Sequence, residues 1–154
     1  MSFRKSIVAV ALLSAMIAGS ASIAQAQSVA DTIAARQAGF KKTGENAGAI
    51  KKALDAGADL KTVAANAQEI ADWGKKIPTM VPAGSGPESG VKTRALPAIW
   101  ADKADFDKKA ADLSAAATTL VAALNGTDKA AAGAAFQALG GACAACHRTY
   151  RTQQ

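Results

Sequence analysis

Charged, aromatic and proline residues are all scarce in this sequence. Of its 154 residues, 19% are charged, 5% are aromatic and four are proline, whereas half are hydrophobic. A chain so poor in charge and so rich in apolar residues is not intrinsically disordered. Its length suits one domain with a real core, and its alanine-rich tracts favour helices. Strand-like alternation and internal repeats are missing, which leaves an all-α protein as the expected class.

Long hydrophobic runs are also missing, apart from one near the amino terminus. Two basic residues precede an apolar run over residues 7–18, and small residues follow at 24–26. About 12 apolar residues are too few to span a bilayer, which needs roughly 20. The pattern is that of a secretory signal peptide. We therefore expect residues 1–26 to be removed, and residues 27–154 to form a soluble periplasmic domain without a membrane span.

The net charge of +6 gives little information about partners. Basic and acidic residues are interspersed along the chain rather than clustered, and export separates the protein from nucleic acid. No nucleic-acid partner is therefore expected.

Apolar residues spaced alternately by three and four predict amphipathic helices. In the first helix this buried stripe runs from Val29 to Leu54, and Arg36 lies on it. A charge on a buried stripe needs a partner anion or a path to solvent. A second helix follows, with Asp59 as its N-cap, and Pro78 ends it.

A long connection separates two pairs of helices. All four prolines and three glycines lie within residues 78–97, which predicts a loop of about 20 residues. A third helix starts near Pro97 and ends at Asn125, and Thr127 or Asp128 caps the fourth. These helices predict an antiparallel four-helix bundle with a long loop between helices 2 and 3. Small residues along the seams leave its interior under-filled, which hints at a bulky occupant.

Both cysteines and the single histidine of the chain lie in one motif, C-x-x-C-H, at residues 143–147. On a helix Cys143 and Cys146 share a face, so both thiols can form thioethers with one porphyrin. His147 follows directly and can ligate the iron. This pattern is the attachment motif of c-type haem, so we predict haem c bound covalently through the two cysteines.

Other uses of these residues fit less well. A disulfide suits an exported protein, but two cysteines three apart on a regular helix match disulfide geometry poorly. A thioredoxin-like redox pair expects a strand-to-helix context. A zinc site needs more than three ligands.

The chain resembles the class II c-type cytochromes, and especially cytochrome c′. The resemblance rests on residues 36–40 of the first helix, on 91–94 and 97–100 before the third, and on C-x-x-C-H-x-x-[YF]-R at 143–151. It covers essentially all of residues 27–154. It implies that the cysteines anchor the haem and that the histidine is the proximal iron ligand.

The resemblance implies further roles. In methionine-ligated members of the class the sixth ligand lies four residues after the first-helix arginine, where this chain has Phe40, which cannot coordinate iron. Cytochromes c′ hold an apolar or aromatic residue there, which leaves the iron five-coordinate and open to small gases. Arg36, one helical turn away, would pair with a haem propionate, or else reach solvent. Arg151 would lie beside the proximal His147, or else answer the helix dipole.

Two functions are therefore expected to compete. The first is a haem protein that binds nitric oxide or carbon monoxide. The second is a low-spin electron carrier that docks to a periplasmic redox partner, with Met80 of the proline-rich loop as the thioether that could close the sixth position. An enzyme is not expected, because no second histidine and no acid–base pair is placed to assist bond cleavage. The resemblance also implies a homodimer formed through the first two helices.

Aromatic residues on or near the seams are expected to be core. Trp100, Phe136 and Tyr150 could contact the porphyrin, but ordinary packing is the better explanation for each. Trp73, close to a helix end, is assigned no role.

Overall fold

The computed structural model describes the backbone of residues 5–153 and the side chains of residues 28–153. Its α-helices are α1 (Lys5–Asp55), α2 (Ala64–Lys76), α3 (Ala98–Ala101), α4 (Lys103–Asn125) and α5 (Lys129–Tyr150). The described residues form no β-strand, and one isolated antiparallel bridge joins Ala95 to Arg151. The four long helices α1, α2, α4 and α5 form the predicted bundle, so the fold class is confirmed.

The amino-terminal segment keeps its status as a prediction. The side chains of residues 1–26 lie outside those that the structure describes, although α1 begins at Lys5. Within the described part of the chain, no helix has the length and hydropathy that crossing a membrane would require. The removal of residues 1–26 is tested by neither observation.

The first helix ends at a glycine, and aspartate side chains cap the starts of later helices, largely as predicted. After α1, Gly57 adopts a left-handed conformation with φ of 63°, which glycine adopts without strain. The carboxylate of Asp59 accepts a hydrogen bond from the backbone N–H of Lys61 at 3.1 Å. Asp128 caps α5 by accepting from Ala130 N and Ala131 N at 2.8 and 3.0 Å. These bonds satisfy donors that a helix start leaves unpaired.

Two predicted helices differ in detail from the structure. The second starts as a 3-10 helix over Leu60–Val63 before α2 begins. The prediction of one continuous third helix from Pro97 was wrong, because the chain breaks at Asp102, where φ is −131° and ψ is 70°. The carboxylate of Asp102 accepts a hydrogen bond from the backbone N–H of Asp105 at 3.1 Å, so it caps a new helix instead of continuing the old one.

Helix α4 packs against α2 on one side and α5 on the other. Gly74 of α2 allows a close approach to α4, because a Cβ there would lie 2.9 Å from Cβ of Ser114. The hydroxyl of Ser114 donates to the carbonyl of Ala71 at 2.9 Å across the same contact. Helix α1 packs mainly on α2, where the buried Asn46 donates to Glu69 at 2.8 Å. In contrast, α1 and α5 touch each other little.

The connection between α2 and α4 folds against the end of α5. It contains 3-10 helices over Ile77–Met80 and Pro87–Ser89. Its last residues pair with the chain at the end of α5, because Leu96 N donates to Tyr150 O and Thr152 N donates to Arg94 O, both at 3.0 Å. The loop therefore lies beside the C-x-x-C-H motif.

Candidate haem site

A cavity of about 530 Å³ separates α1 from α5. This volume lies within the range of about 300–1,000 Å³ that is usual for cofactor pockets. The cavity is lined by Arg36, Gln37, Phe40, Thr43, Gly44, Ala47, Ile77, Val81, Thr93, Arg94, Ala95, Ile99, Phe106, Lys109, Ala110, Leu113, Ala142, Cys143, Cys146, His147, Tyr150 and Arg151. Most of these side chains are apolar, so the cavity suits a large hydrophobic group.

All six residues that the sequence identified as a site line this one cavity. Helix α5 and the residue after it supply four of them, and α1 supplies two from the opposite wall. They are Cys143, Cys146, His147, Arg151, Arg36 and Phe40. The structure therefore brings together residues that are separated by more than a hundred positions in the sequence.

The motif presents its reactive atoms in neutral form. Cys143 and Cys146 are free, half-buried thiols, and burial raises the pKa of both. Burial also lowers the pKa of His147, and the charges of Arg151 and Arg94 lower it further. A neutral imidazole has the free nitrogen lone pair that a metal ligand needs.

Arg36 is buried, with 4% of its surface exposed, and burial lowers its pKa. Its guanidinium donates to the carbonyl of Met80 at 3.1 Å, to Oγ and the carbonyl of Ser85 at 3.1 and 2.8 Å, and to Oγ1 of Thr93 at 3.2 Å. The alternative in which Arg36 reaches solvent was therefore wrong. Its charge is met by neutral acceptors of the proline-rich loop, and these bonds hold that loop against α1.

Met80 uses its backbone rather than its thioether in this contact. The carbonyl accepts the hydrogen bond from Arg36, whereas no atom of Met80 belongs to the cavity wall. As the chain stands, the only methionine after residue 26 is thus outside the site.

Phe40 contacts a residue to which the sequence analysis gave no role. Its ring, 37% exposed at the cavity, meets the indole of Trp73 edge to face, with ring centroids 5.6 Å apart and planes at 85°. The same indole covers Gly39, where any Cβ would overlap it. A pairing between different helices has no signal in the spacing of one sequence, which explains why Trp73 was missed.

The charged residues of the cavity wall all have the same sign. Four cationic side chains line it, from Arg36, Arg94, Lys109 and Arg151, and among the described residues no carboxylate does so. The Nε atom of Arg151 is buried and has no hydrogen-bond partner within the described chain. An unpaired buried donor is costly, so this wall suits a ligand that carries carboxylates. The two propionates of haem fit that requirement.

Aromatic residues divide into those inside and outside the cavity wall. Tyr150 lines it together with Phe106, and their ring centroids lie 5.2 Å apart with planes at 90°. Trp100 and Phe136 are not part of the wall. The indole N–H of Trp100 instead donates to the carbonyl of Val81 at 3.1 Å. Of the three candidates, Tyr150 alone is therefore placed to contact a porphyrin.

Comparison with known proteins identifies the family. Residues 31–151 match the family model described as Cytochrome C'. A cytochrome c′ of Rhodopseudomonas palustris is 38% identical over 126 residues, which cover 80% of this chain and 84% of the relative. A cytochrome c-556 of Agrobacterium tumefaciens is 38% identical over 122 residues, which cover 77% and 95%.

Solved structures agree with the sequence comparison. The crystal structure of cytochrome c′ from Thermochromatium tepidum superposes with a TM-score of 0.75 at 33% identity, over 81% of this chain and 97% of that one. The nitric oxide complex of a single-site mutant of cytochrome c prime from Alcaligenes xylosoxidans gives a TM-score of 0.69 at 25% identity, over 80% and 95%. The sequence and the fold therefore indicate the same family.

Proposed function

This chain belongs to the cytochrome c′ family, and on that premise we propose that it is a periplasmic c-type haem protein that binds small gases such as nitric oxide or carbon monoxide. The haem, once bound, supplies an iron with an open coordination position and a one-electron couple. The protein supplies attachment, one iron ligand and the surroundings of the open position. No enzymatic turnover is proposed.

Attachment is the task of α5. Cys143 and Cys146, three residues apart, would hold the haem through two thioethers, and His147 would supply one ligand to its iron. All three residues line the same cavity, so one group bound there could contact each of them. The depressed pKa of His147 keeps its imidazole in the ligating form at neutral pH.

One observation carries the proposal of five-coordinate iron. Among the described residues of the cavity wall, imidazole and sulfur donors come from the C-x-x-C-H motif alone. The wall formed by α1 presents Phe40, which cannot coordinate iron, and Met80 lies outside the wall. The described part of the wall formed by α1 therefore offers no imidazole or sulfur ligand to a haem iron, which would leave one position open to an external ligand. The nitric oxide complex of the Alcaligenes xylosoxidans protein supports the binding of a gas by a protein of this fold.

Within the described chain, the surroundings of Phe40 lack a free hydroxyl donor, which favours nitric oxide and carbon monoxide over dioxygen. The Thr43 hydroxyl donates to the carbonyl of Gly39 at 3.0 Å, and the Gln37 amide donates to the carbonyl of Lys92 at 2.8 Å. The Thr43 hydroxyl therefore has no hydrogen left for a bound gas, and the Gln37 amide is held towards Lys92. Stable dioxygen binding draws on a hydrogen bond from the distal side, so an apolar site disfavours oxygen storage.

Arg36 and Arg151 supply the electrostatics of the cofactor site. Both are cations on the cavity wall, and the buried Nε of Arg151 has no acceptor among the described residues. We assign Arg36 to a haem propionate and Arg151 to the proximal side beside His147, where its unpaired Nε is available to the other propionate. Arg36 then has two tasks, since the same guanidinium holds the proline-rich loop.

A low-spin electron carrier is the second candidate. A relative with another name, cytochrome c-556, is as similar to this chain as the cytochrome c′ is, so a second function within the class is considered. This function would require Met80 to enter the cavity as the sixth ligand. Such a movement would cost the hydrogen bond between its carbonyl and Arg36.

Optical spectra of the exported, haem-loaded protein separate the two candidates. The spectra are taken in the ferric state, in the ferrous state, and in the ferrous state with carbon monoxide or nitric oxide. Broad high-spin bands that shift on adding either gas are the expected result. Sharp low-spin bands that do not change on adding either gas would instead establish the electron carrier.

The homodimer and the periplasmic redox partner stay predictions. Sedimentation of the holoprotein tests whether it forms a homodimer.

A further inference from the structure

Trp73 of α2 stands directly behind the residue that faces the open side of the haem. It is half-buried and does not line the cavity, but its indole meets the ring of Phe40 edge to face at 5.6 Å. The cavity side of Phe40 has no comparable contact within the described chain, because α1 and α5 touch each other little and the ring is 37% exposed. Among the described aromatic pairs, this one alone connects the cavity wall to α2.

The indole also fixes the backbone next to Phe40. A Cβ at Gly39 would overlap Cη2, Cζ2 and Cζ3 of Trp73, so the six-membered ring of the indole lies on α1 itself. Glycine is unfavourable in the middle of a helix, and here its lack of a side chain is what admits the indole. Trp73 therefore leaves no room behind Phe40 into which the phenyl ring could retreat.

Packing alone holds the indole in this place. Its Nε1 is buried and has no hydrogen-bond partner within the described residues. A tryptophan with a bonded N–H, such as Trp100, is oriented by its acceptor. Trp73 is oriented instead by its contacts with Gly39 and Phe40, so the two aromatic rings form one mechanical unit.

We propose that Trp73 is a positioning residue that sets how closely Phe40 screens the sixth position of the iron, and thereby how fast a gas ligand binds there. The inference rests on the proposed function, since it requires Phe40 to face an open coordination position. A ligand that binds on this side must displace the phenyl ring, and Trp73 opposes that displacement. Removing the indole gives the ring space to move and opens the path.

The test compares carbon monoxide binding to ferrous holoprotein variants by stopped flow. Trp73→Leu is expected to raise the association rate constant about twofold to tenfold, the factor that corresponds to one edge-to-face contact. Trp73→Phe retains an aromatic edge and is expected to fall between the two. Trp100→Phe is the matched control, because it removes a half-buried indole that belongs neither to the pair with Phe40 nor to the cavity wall, and its rate constant should equal that of the unsubstituted protein.

A double-substitution cycle distinguishes positioning from a general loss of stability. In a Phe40→Leu background the aromatic pair is already gone, so adding Trp73→Leu should change the rate constant no further. An equal effect of Trp73→Leu in both backgrounds, or none in either, would overturn the inference. If the unsubstituted ferrous protein itself binds no carbon monoxide, the proposed function fails and the inference fails with it. The two failures are distinguishable. Failure of the proposed function appears in the unsubstituted protein, whereas failure of the inference alone appears only in the variants.

Discussion

The phenol of Tyr150 donates a 2.7 Å hydrogen bond to Oδ2 of Asp105 and so joins the last turn of α5 to the first turn of α4. The same carboxylate lies 3.4 Å from Nζ of Lys109, which lines the cavity. The bond lowers the pKa of Asp105, whereas burial, followed by this carboxylate, raises the pKa of Tyr150. Both shifts favour a protonated phenol beside an ionised carboxylate.

This pair predicts stability that decreases at both ends of the pH scale. Because the pKa of Asp105 is lowered by folding, its contribution is complete above the ordinary value of about 3.9 and is lost as the pH falls. Because the pKa of Tyr150 is raised, its contribution is complete below about 10 and is lost as the pH rises. Urea unfolding of the holoprotein should therefore show a difference between the native chain and Tyr150→Phe at pH 7 that shrinks towards pH 3. A difference that is equally large at both pH values would contradict this assignment.

Phe40 offers a direct test of the open coordination position. Phe40→Met places a thioether at the position that holds the sixth ligand in low-spin relatives of the class. The ferric spectrum should change from high-spin to low-spin, and carbon monoxide binding to the ferrous protein should be largely lost. Phe40→Leu is the control, since it keeps an apolar side chain that cannot coordinate iron. Spectra of Phe40→Met that still show high-spin bands would place residue 40 away from the iron.

Arg36 should matter for the loop as much as for the cofactor. Arg36→Met removes four hydrogen bonds and leaves the carbonyl of Ser85, which lies in the interior, without this donor. Hydrogen bonds to a charged group contribute about 1.5–3 kcal/mol each and are not additive, so a loss of about 3 kcal/mol in the free energy of unfolding is expected. Proteolysis within residues 78–97 should accelerate in parallel. Arg36→Lys, which keeps the charge but not the fork of donors, should recover only a small part of the loss.

Gly74 predicts a packing defect that is independent of the haem. A methyl group on residue 74 would lie 3.0 Å from Cα and N of Ser114 and 2.9 Å from Cβ of Ser114. Helices α2 and α4 would therefore have to move apart. Gly74→Ala should destabilise the protein by about 1–3 kcal/mol, as overpacked cores do. Gly133→Ala on α5 is the matched control, because a Cβ there meets nothing within 4 Å. It should instead stabilise the protein by about 0.5–1 kcal/mol, as measured by thermal unfolding.

How much the sequence predicts depends on the range of each interaction. Asp59 and Asp128 were predicted as caps because a cap acts on backbone groups two or three residues away. The break at Asp102 was missed, because its carboxylate occupies a position that fits an uninterrupted helical pattern equally well. Helix caps can therefore be predicted from the sequence, except where the same residues fit both a continuous helix and a helix start.

Contacts between different helices are the part of the site that could not be predicted from the sequence. The C-x-x-C-H motif could be predicted because its three reactive residues are neighbours in sequence, and one helix turn places them together. Arg36 could be predicted to need a partner, but the acceptors on the loop at Ser85 and Thr93 could not be identified from spacing. The contact between Trp73 and Phe40 depends on the crossing of α1 and α2, which no periodicity encodes.

The sparse contact between α1 and α5 has a consequence for how the molecule is made. Where other bundle neighbours bury each other's side chains, these two helices face a common cavity of about 530 Å³. The cofactor therefore takes the place of a layer of core, and its attachment contributes to folding as any tight ligand of the native state does. The proposed thioethers on α5 would prevent the porphyrin from leaving. Binding of the haem would thus complete the hydrophobic core, because the group that fills the space between α1 and α5 is not part of the polypeptide.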